Sequence, residues 1–352
     1  MPLSPRSQAL HSLSRMFQAA LPPPGQPVTL GEVLTRHAEI LSEAHERGLE
    51  AAEALLRGRR PEDRPGLSAA DFRAVIAREY GFADWAAVTD RWDRPVDPRF
   101  EAAADAITSG ELDVLRASLD EDPALVRARS AFGHRAALIH YVAANGVEST
   151  RQWQSPSNAV EILRLLLDRG ANPDELCDTY NGGSAQTPMC LLVSSCHPAE
   201  AGVQADLVTE LVRGGATPDG LDGDGLPLWT AITFGYTAAA SALAQAGARV
   251  DNLVFAAALG DLPAVRACFD ADGRLRAAGD AIRIGARGPV FDPDHMVEYA
   301  LIYASAHARR EVVEFLLTKN PDLGVTEPMF HGTAAGAARY HGHDDIVALL
   351  TS

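Results

Sequence analysis

Four stretches of this chain end alike, and that recurrence restricts the fold more than any other feature. They read LLDRGANPD (166–174), LVRGGATPD (211–219), LAQAGARVD (243–251) and LLTKNPDLG (316–324). Each closes a leucine-bearing helix, places a glycine or asparagine where a left-handed cap is wanted, and leaves by a short polar exit. The second and third begin 32 residues apart, at 211 and 243. Self-similarity at a near-fixed period predicts stacked units, each covering the apolar stripe of the next.

The residues ahead of these endings supply the other half of a two-helix unit. Thr333 opens TAAGAA, and Gly342-His343 precede DDIVALL. These segments resemble the ankyrin repeat, whose first helix opens with T-P-L-H-x-A-A and whose second follows a G-H pair. Ala137-Leu138-Ile139-His140, Thr187-Pro188-Met189-Cys190 and Leu226-Pro227-Leu228-Trp229 occupy the T-P-L-H place. Gly146 and Gly235 occupy the glycine place, and Gly260-Asp261 follow a short helix from Leu253 to Ala258. A further helix from Ala300 to Ala306 leads to EVVEFLL, and Gly110 precedes LDVLRASL. The resemblance implies an all-α ankyrin-repeat solenoid of about seven helix-turn-helix repeats. Their expected positions are 100–129, 133–174, 184–219, 224–251, 252–281, 296–324 and 330–352, within a domain over 94–352.

Residues 1–93 lack the repeat pattern and read as an N-terminal helical cap over the first repeat. Thr29 and Glu32 form a capping box before a helical pattern running to about Leu56. Ser68 and Asp71 open another helix, with Phe72, Val75, Ile76, Tyr80 and Trp85 directed to a core. The stretch AREYGFADW (77–85) looks like a segment found ahead of ankyrin arrays in bacterial proteins.

Composition narrows the function. A net charge of −16 argues against nucleic acid and predicts a protein partner with a basic surface. There is no apolar run of 18 residues, so no membrane span is expected, and the opening MPLSPRSQALHSL lacks a secretory pattern. Lys319 is the single lysine beside thirty arginines, the usage of a GC-rich bacterial genome. Cys177, Cys190, Cys196 and Cys268 match no zinc spacing, and Cys190-x5-Cys196-His197 is a weak metal signal. The cysteines read as small buried hydrophobes in a reduced cytoplasm. No nucleophile elbow, P-loop, dinucleotide fingerprint or H-E-x-x-H is present, so no cofactor and no metal are expected.

Protein binding is therefore the first expectation, centred on repeats two to four. Enlarged loops at 146–158 and 196–204 should meet on one edge and offer Arg151, Gln152, Trp153, His197 and Gln204. The connection 174–186 adds Tyr180 and Asn181. Arg283, Arg287, Phe291 and His295 lie in a long connection, 282–297. Met329 and Phe330, in an extension at 325–331, are either exposed anchors or packed under the turn. The alternative is an enzyme or small-molecule binder in a pocket between the two enlarged loops. His140, Tyr141, Arg151, Tyr180 and His197 would line it, with His140, Tyr141 and His197 as the residues of chemistry.

Plainer readings stand beside these. His140 and His343 fall on motif positions where the side chain bonds within the hairpin. His134, His295, His307, His331 and His341 read as solvated surface. Trp153 either packs back onto the helices or anchors a partner, and Trp229 fills a core.

Overall fold

A computed structural model of the chain describes residues 4–23, 26–57, 66–179, 185–276 and 290–351. The chain forms two compact units, Met1–Ala216 and Thr217–Ser352. The first contains both the N-terminal helices and the first three repeats. The N-terminal helices share a core with residues of the expected second repeat.

Among the described residues each expected repeat window holds a packed helix pair, with an added short helix, Cys196–Glu200, in the third and a 3-10 turn, Pro123–Arg127, in the first. In the first unit, Pro98–Ser109 packs against a 3-10 helix, Leu138–Ala143, which packs against Pro188–Leu192. Their partners Leu112–Glu121, Ala159–Asp168 and Gln204–Arg213 form a second row. In the second unit, Leu226–Thr233 pairs with Thr237–Gln245. Leu253–Leu259, Met296–Ala306 and Ala334–Tyr340 stack in turn, backed by Leu262–Ala267, Arg310–Leu317 and Asp344–Thr351. Alanines at 256–258 are fully buried, which lets successive helices approach closely.

The sequence signals act as physical caps. Gly170, Gly215 and Gly247 take φ of 90°, 101° and 99° after their helices, and Asn320 takes 54°. These are the left-handed positions of the four similar endings, which only glycine or asparagine adopts readily. Thr187 and Thr333 accept backbone N–H groups of Cys190 and Gly336 at 3.3 and 3.2 Å, satisfying first-turn donors.

Ahead of the repeats, Thr29–Glu32 and Ser68–Asp71 make reciprocal capping boxes on Leu30–Glu46 and Ala69–Glu79. The helical pattern expected to reach Leu56 breaks at Gly48, which takes φ 66°, and resumes as Glu50–Leu56. Leu30–Glu46 packs on Ala69–Glu79, and Pro5–Gln18 on Glu50–Leu56. Phe72, Val75, Ile76 and Tyr80 are buried in one core together with Phe132 and with Trp153 of repeat two. Among the described residues no helix is long and apolar enough to cross a membrane.

Candidate functional site

The enlarged second loop turns inward. Arg151 Nη1 donates to Glu101 Oε2 at 2.9 Å and to Glu148 Oε1 at 3.0 Å, while its Nε meets Asp105 Oδ1 at 2.7 Å. Tyr141 Oη donates to Glu148 Oε1 at 2.9 Å. His134 Nδ1 accepts the Ala136 N–H, so its other nitrogen, 3.2 Å from Glu148 Oε1, carries the proton. The group is buried throughout apart from the partly exposed Asp105.

Charge in this cluster is unevenly held. Burial pushes Glu101 up to about 8 and raises Asp105. Burial acts on Glu148 in the same sense, but Arg151, His134 and Tyr141 outweigh it and hold Glu148 at about 2. Burial also opposes the Arg151 charge, and its three carboxylates overcome that. The arrangement is one fixed cation, one firm anion, a carboxyl that takes a proton near neutrality and a second, Asp105, shifted in the same direction.

The same loop fastens the N-terminal helices. Glu79 accepts from the Thr150 N–H at 2.7 Å, Thr150 Oγ1 at 2.9 Å and Ser149 Oγ at 2.6 Å. Trp153 is 7% exposed, and its ring stands 4.1 Å from that of His11. Gln152 is buried, with Oε1 accepting the N–H groups of Val147 and Glu148. The expectation that Arg151, Gln152 and Trp153 form an exposed binding edge is therefore corrected. Arg151 ties the loop to the helix Pro98–Ser109, Gln152 closes the loop on itself, and Trp153 packs against the N-terminal helices.

The other site residues separate. Gln204 is buried and donates to Leu192 O and Ser195 O at 2.9 and 3.1 Å, which closes the third-repeat loop. His140 takes the Ala137 N–H on Nδ1 and bonds Glu175 O through Nε2 at 3.0 Å, and burial lowers it to about 4. It is a structural histidine, as is His343, bonded to Ala306 O at 3.0 Å. His134 and His307, expected on the surface, are buried instead. His307 is held by Thr237 Oγ1 at 2.6 Å and Ile232 O at 2.9 Å. Tyr180, Asn181, Arg283 and Arg287 lie outside the described residues.

A cleft of ≈ 510 Å³ does lie between the enlarged loops, roofed by the helix Pro5–Gln18. Gln152, Trp153 and His197 face it, whereas His140, Tyr141 and Arg151 do not. Of the five residues expected to line one pocket, the four described ones are thus not brought together there. On one wall Cys196, His197 and Glu200 place a sulfur, a ring nitrogen and a carboxylate oxygen within 4.8 Å of one another. Burial lowers His197, keeping the imidazole neutral at pH 7, and raises Cys196. The sequence reading paired Cys196 with Cys190 and missed Glu200, whose i, i+4 relation to Cys196 on a helical turn was the available signal.

In the second unit the extension at 325–331 is a turn built round one carboxylate. Glu327 is buried and accepts the N–H groups of Met329 and Phe330 at 2.6 Å each and Gly332 at 3.2 Å. Tyr303 Oη donates to it at 3.1 Å. This turn pushes Phe330 out to 61% exposure, 6.0 Å from the ring of Phe234. Tyr340, 86% exposed, stands on the same rim of an apolar cleft of ≈ 500 Å³. Trp229 beneath is core, edge-on to Phe291 and Tyr303 at 5.1 Å each.

No protein-family model matches the chain, and no curated protein matches it. Among solved structures, the human ASB11 ankyrin repeat domain is similar over 70% of this chain and 96% of its own. The identity is 15% and the TM-score 0.38, an agreement too loose to carry an argument.

Proposed function

We propose that the chain is a binding protein that recognises a protein partner through its repeat surface. The aromatic rim of residues 217–352, formed by Phe234, Phe330 and Tyr340, is the contact we favour. The observation that carries this is the exposure of three large aromatic side chains around one apolar cleft. Aromatic groups left in water beside a concavity are characteristic of interaction sites rather than of bare surface. The net charge of −16 supports a basic partner. The test is affinity capture from the native host lysate with wild type, Phe330→Ala/Tyr340→Ala and Trp153→Ala side by side. A stoichiometric protein lost with the double variant supports the proposal. The same protein held equally by the double variant, or an empty capture, sinks it.

A second reading is small-molecule binding in the cleft of residues 1–216. Its support is the ≈ 510 Å³ space with Gln152, Trp153 and His197 on its walls. A thermal-shift screen of metabolites against wild type and His197→Ala tests it: no wild-type shift weaker in the variant ends this reading.

A further inference from the structure

We propose that Cys196, His197 and Glu200 form a binding site for a zinc-class divalent cation, with an open coordination position facing the cleft of the first unit. Three donor types that suit borderline-soft metals, a thiolate, an imidazole and a carboxylate, converge on one wall. Cys196 and Glu200 are four residues apart on the short helix Cys196–Glu200, so they share a face, and His197 reaches round from the adjacent position. Zinc bonds of about 2.0–2.3 Å at tetrahedral angles separate ligand atoms by about 3.3–3.8 Å. The present separations, within 4.8 Å, need only side-chain rotation to close.

Gln152 is 4% exposed and lines the cleft, yet its Nε2 has no hydrogen-bond partner among the described residues. Its orientation is fixed: Oε1 accepts two backbone N–H groups, so the amide cannot be turned round. A buried amide donor without an acceptor costs stability. Three protein ligands leave a tetrahedral metal one position for an oxygen, from water or from an exogenous carboxylate.

The test uses the reduced full-length chain and Co2+ as a spectroscopic stand-in for Zn2+. Wild type should take one Co2+ with an intense near-ultraviolet thiolate-to-cobalt band, displaced by Zn2+. Cys196→Ser should abolish the band with an unchanged circular dichroism spectrum, and Cys268→Ser should leave it. His197→Ala and Glu200→Gln should each weaken Zn2+ binding at least about tenfold, since even outer partners of a metal contribute that much. The proposal is overturned if stoichiometric Co2+ gives no such band, or if the band survives Cys196→Ser. Unchanged Zn2+ affinity in both His197→Ala and Glu200→Gln would overturn it equally.

Discussion

Gly81 and Gly133 meet backbone to backbone. A Cβ on Gly133 would stand 2.4 Å from the Gly81 carbonyl oxygen, and one on Gly81 2.5 Å from the His134 nitrogen. The Gly133 N–H donates to Tyr80 O at 2.8 Å across this contact. Gly133→Ala therefore forces the N-terminal helices away from repeat two. The expected cost is about 1–3 kcal/mol, typical of overpacking, read as a lower thermal midpoint of the full chain. An unchanged midpoint would mean that the two backbones are not held this close.

Trp153 and Phe330 should behave oppositely. Trp153 is buried in the shared core, so Trp153→Ala removes a large packed side chain at about 3–5 kcal/mol. Phe330 stands in water, and Phe330→Ala should stay within about 0.5 kcal/mol of wild type. Chemical denaturation of both variants checks this. Similar losses in the two would contradict the burial described for either residue.

How far the sequence foretold these results depends on how local each interaction is. The left-handed glycines and Asn320 were visible because a helix end is decided by its own few residues. His140 was readable for the same reason, since Ala137 lies three residues away. Arg151 was not: its partner Glu101 is 50 residues distant, and Glu79 holds Thr150 from 71 residues away. His307 sits at a helix end like a surface residue, yet Thr237 and Ile232 come from 70 and 75 residues earlier to take both ring nitrogens. The loop of repeat two looked like a binding edge because a Trp-Arg pair has the same composition whether it faces a partner or the chain's own helices.

Acid should destabilise the protein early. Burial holds His37 at about 3 and His140 and His307 at about 4, below the ordinary 6.5. The unfolded chain therefore takes up these protons first. Stability present above about pH 6.5 is lost progressively as pH falls through the folded values. Thermal midpoints measured from neutral pH to about pH 5 should decline, and a flat profile over that range would contradict neutral buried imidazoles.

Glu101 works in the opposite sense. Its folded value of about 8 lies above the ordinary 4.5, so its contribution is complete below 4.5 and lost as pH rises through 8. Glu101→Gln keeps the neutral shape and cannot ionise. The midpoint of wild type relative to this variant should fall between about pH 5 and about pH 9. Arg151→Leu, by contrast, strands the buried carboxylates and should cost about 3–5 kcal/mol at neutral pH. A pH-independent difference for Glu101→Gln would show that Arg151 keeps Glu101 ionised throughout.

The clasp of Glu79 on Ser149 and Thr150 joins two additions to the plain repeat pattern: the helices before residue 94 and the long loop of repeat two. Each is poorly built without the other. Shortening the loop would take the Ser149 and Thr150 donors away from Glu79, and deleting the helices would put Trp153 and Phe132 in water. The two features should thus be inherited as a pair: a relative that has lost one should have lost both. The N-terminal helices are in this sense part of the second repeat's scaffold.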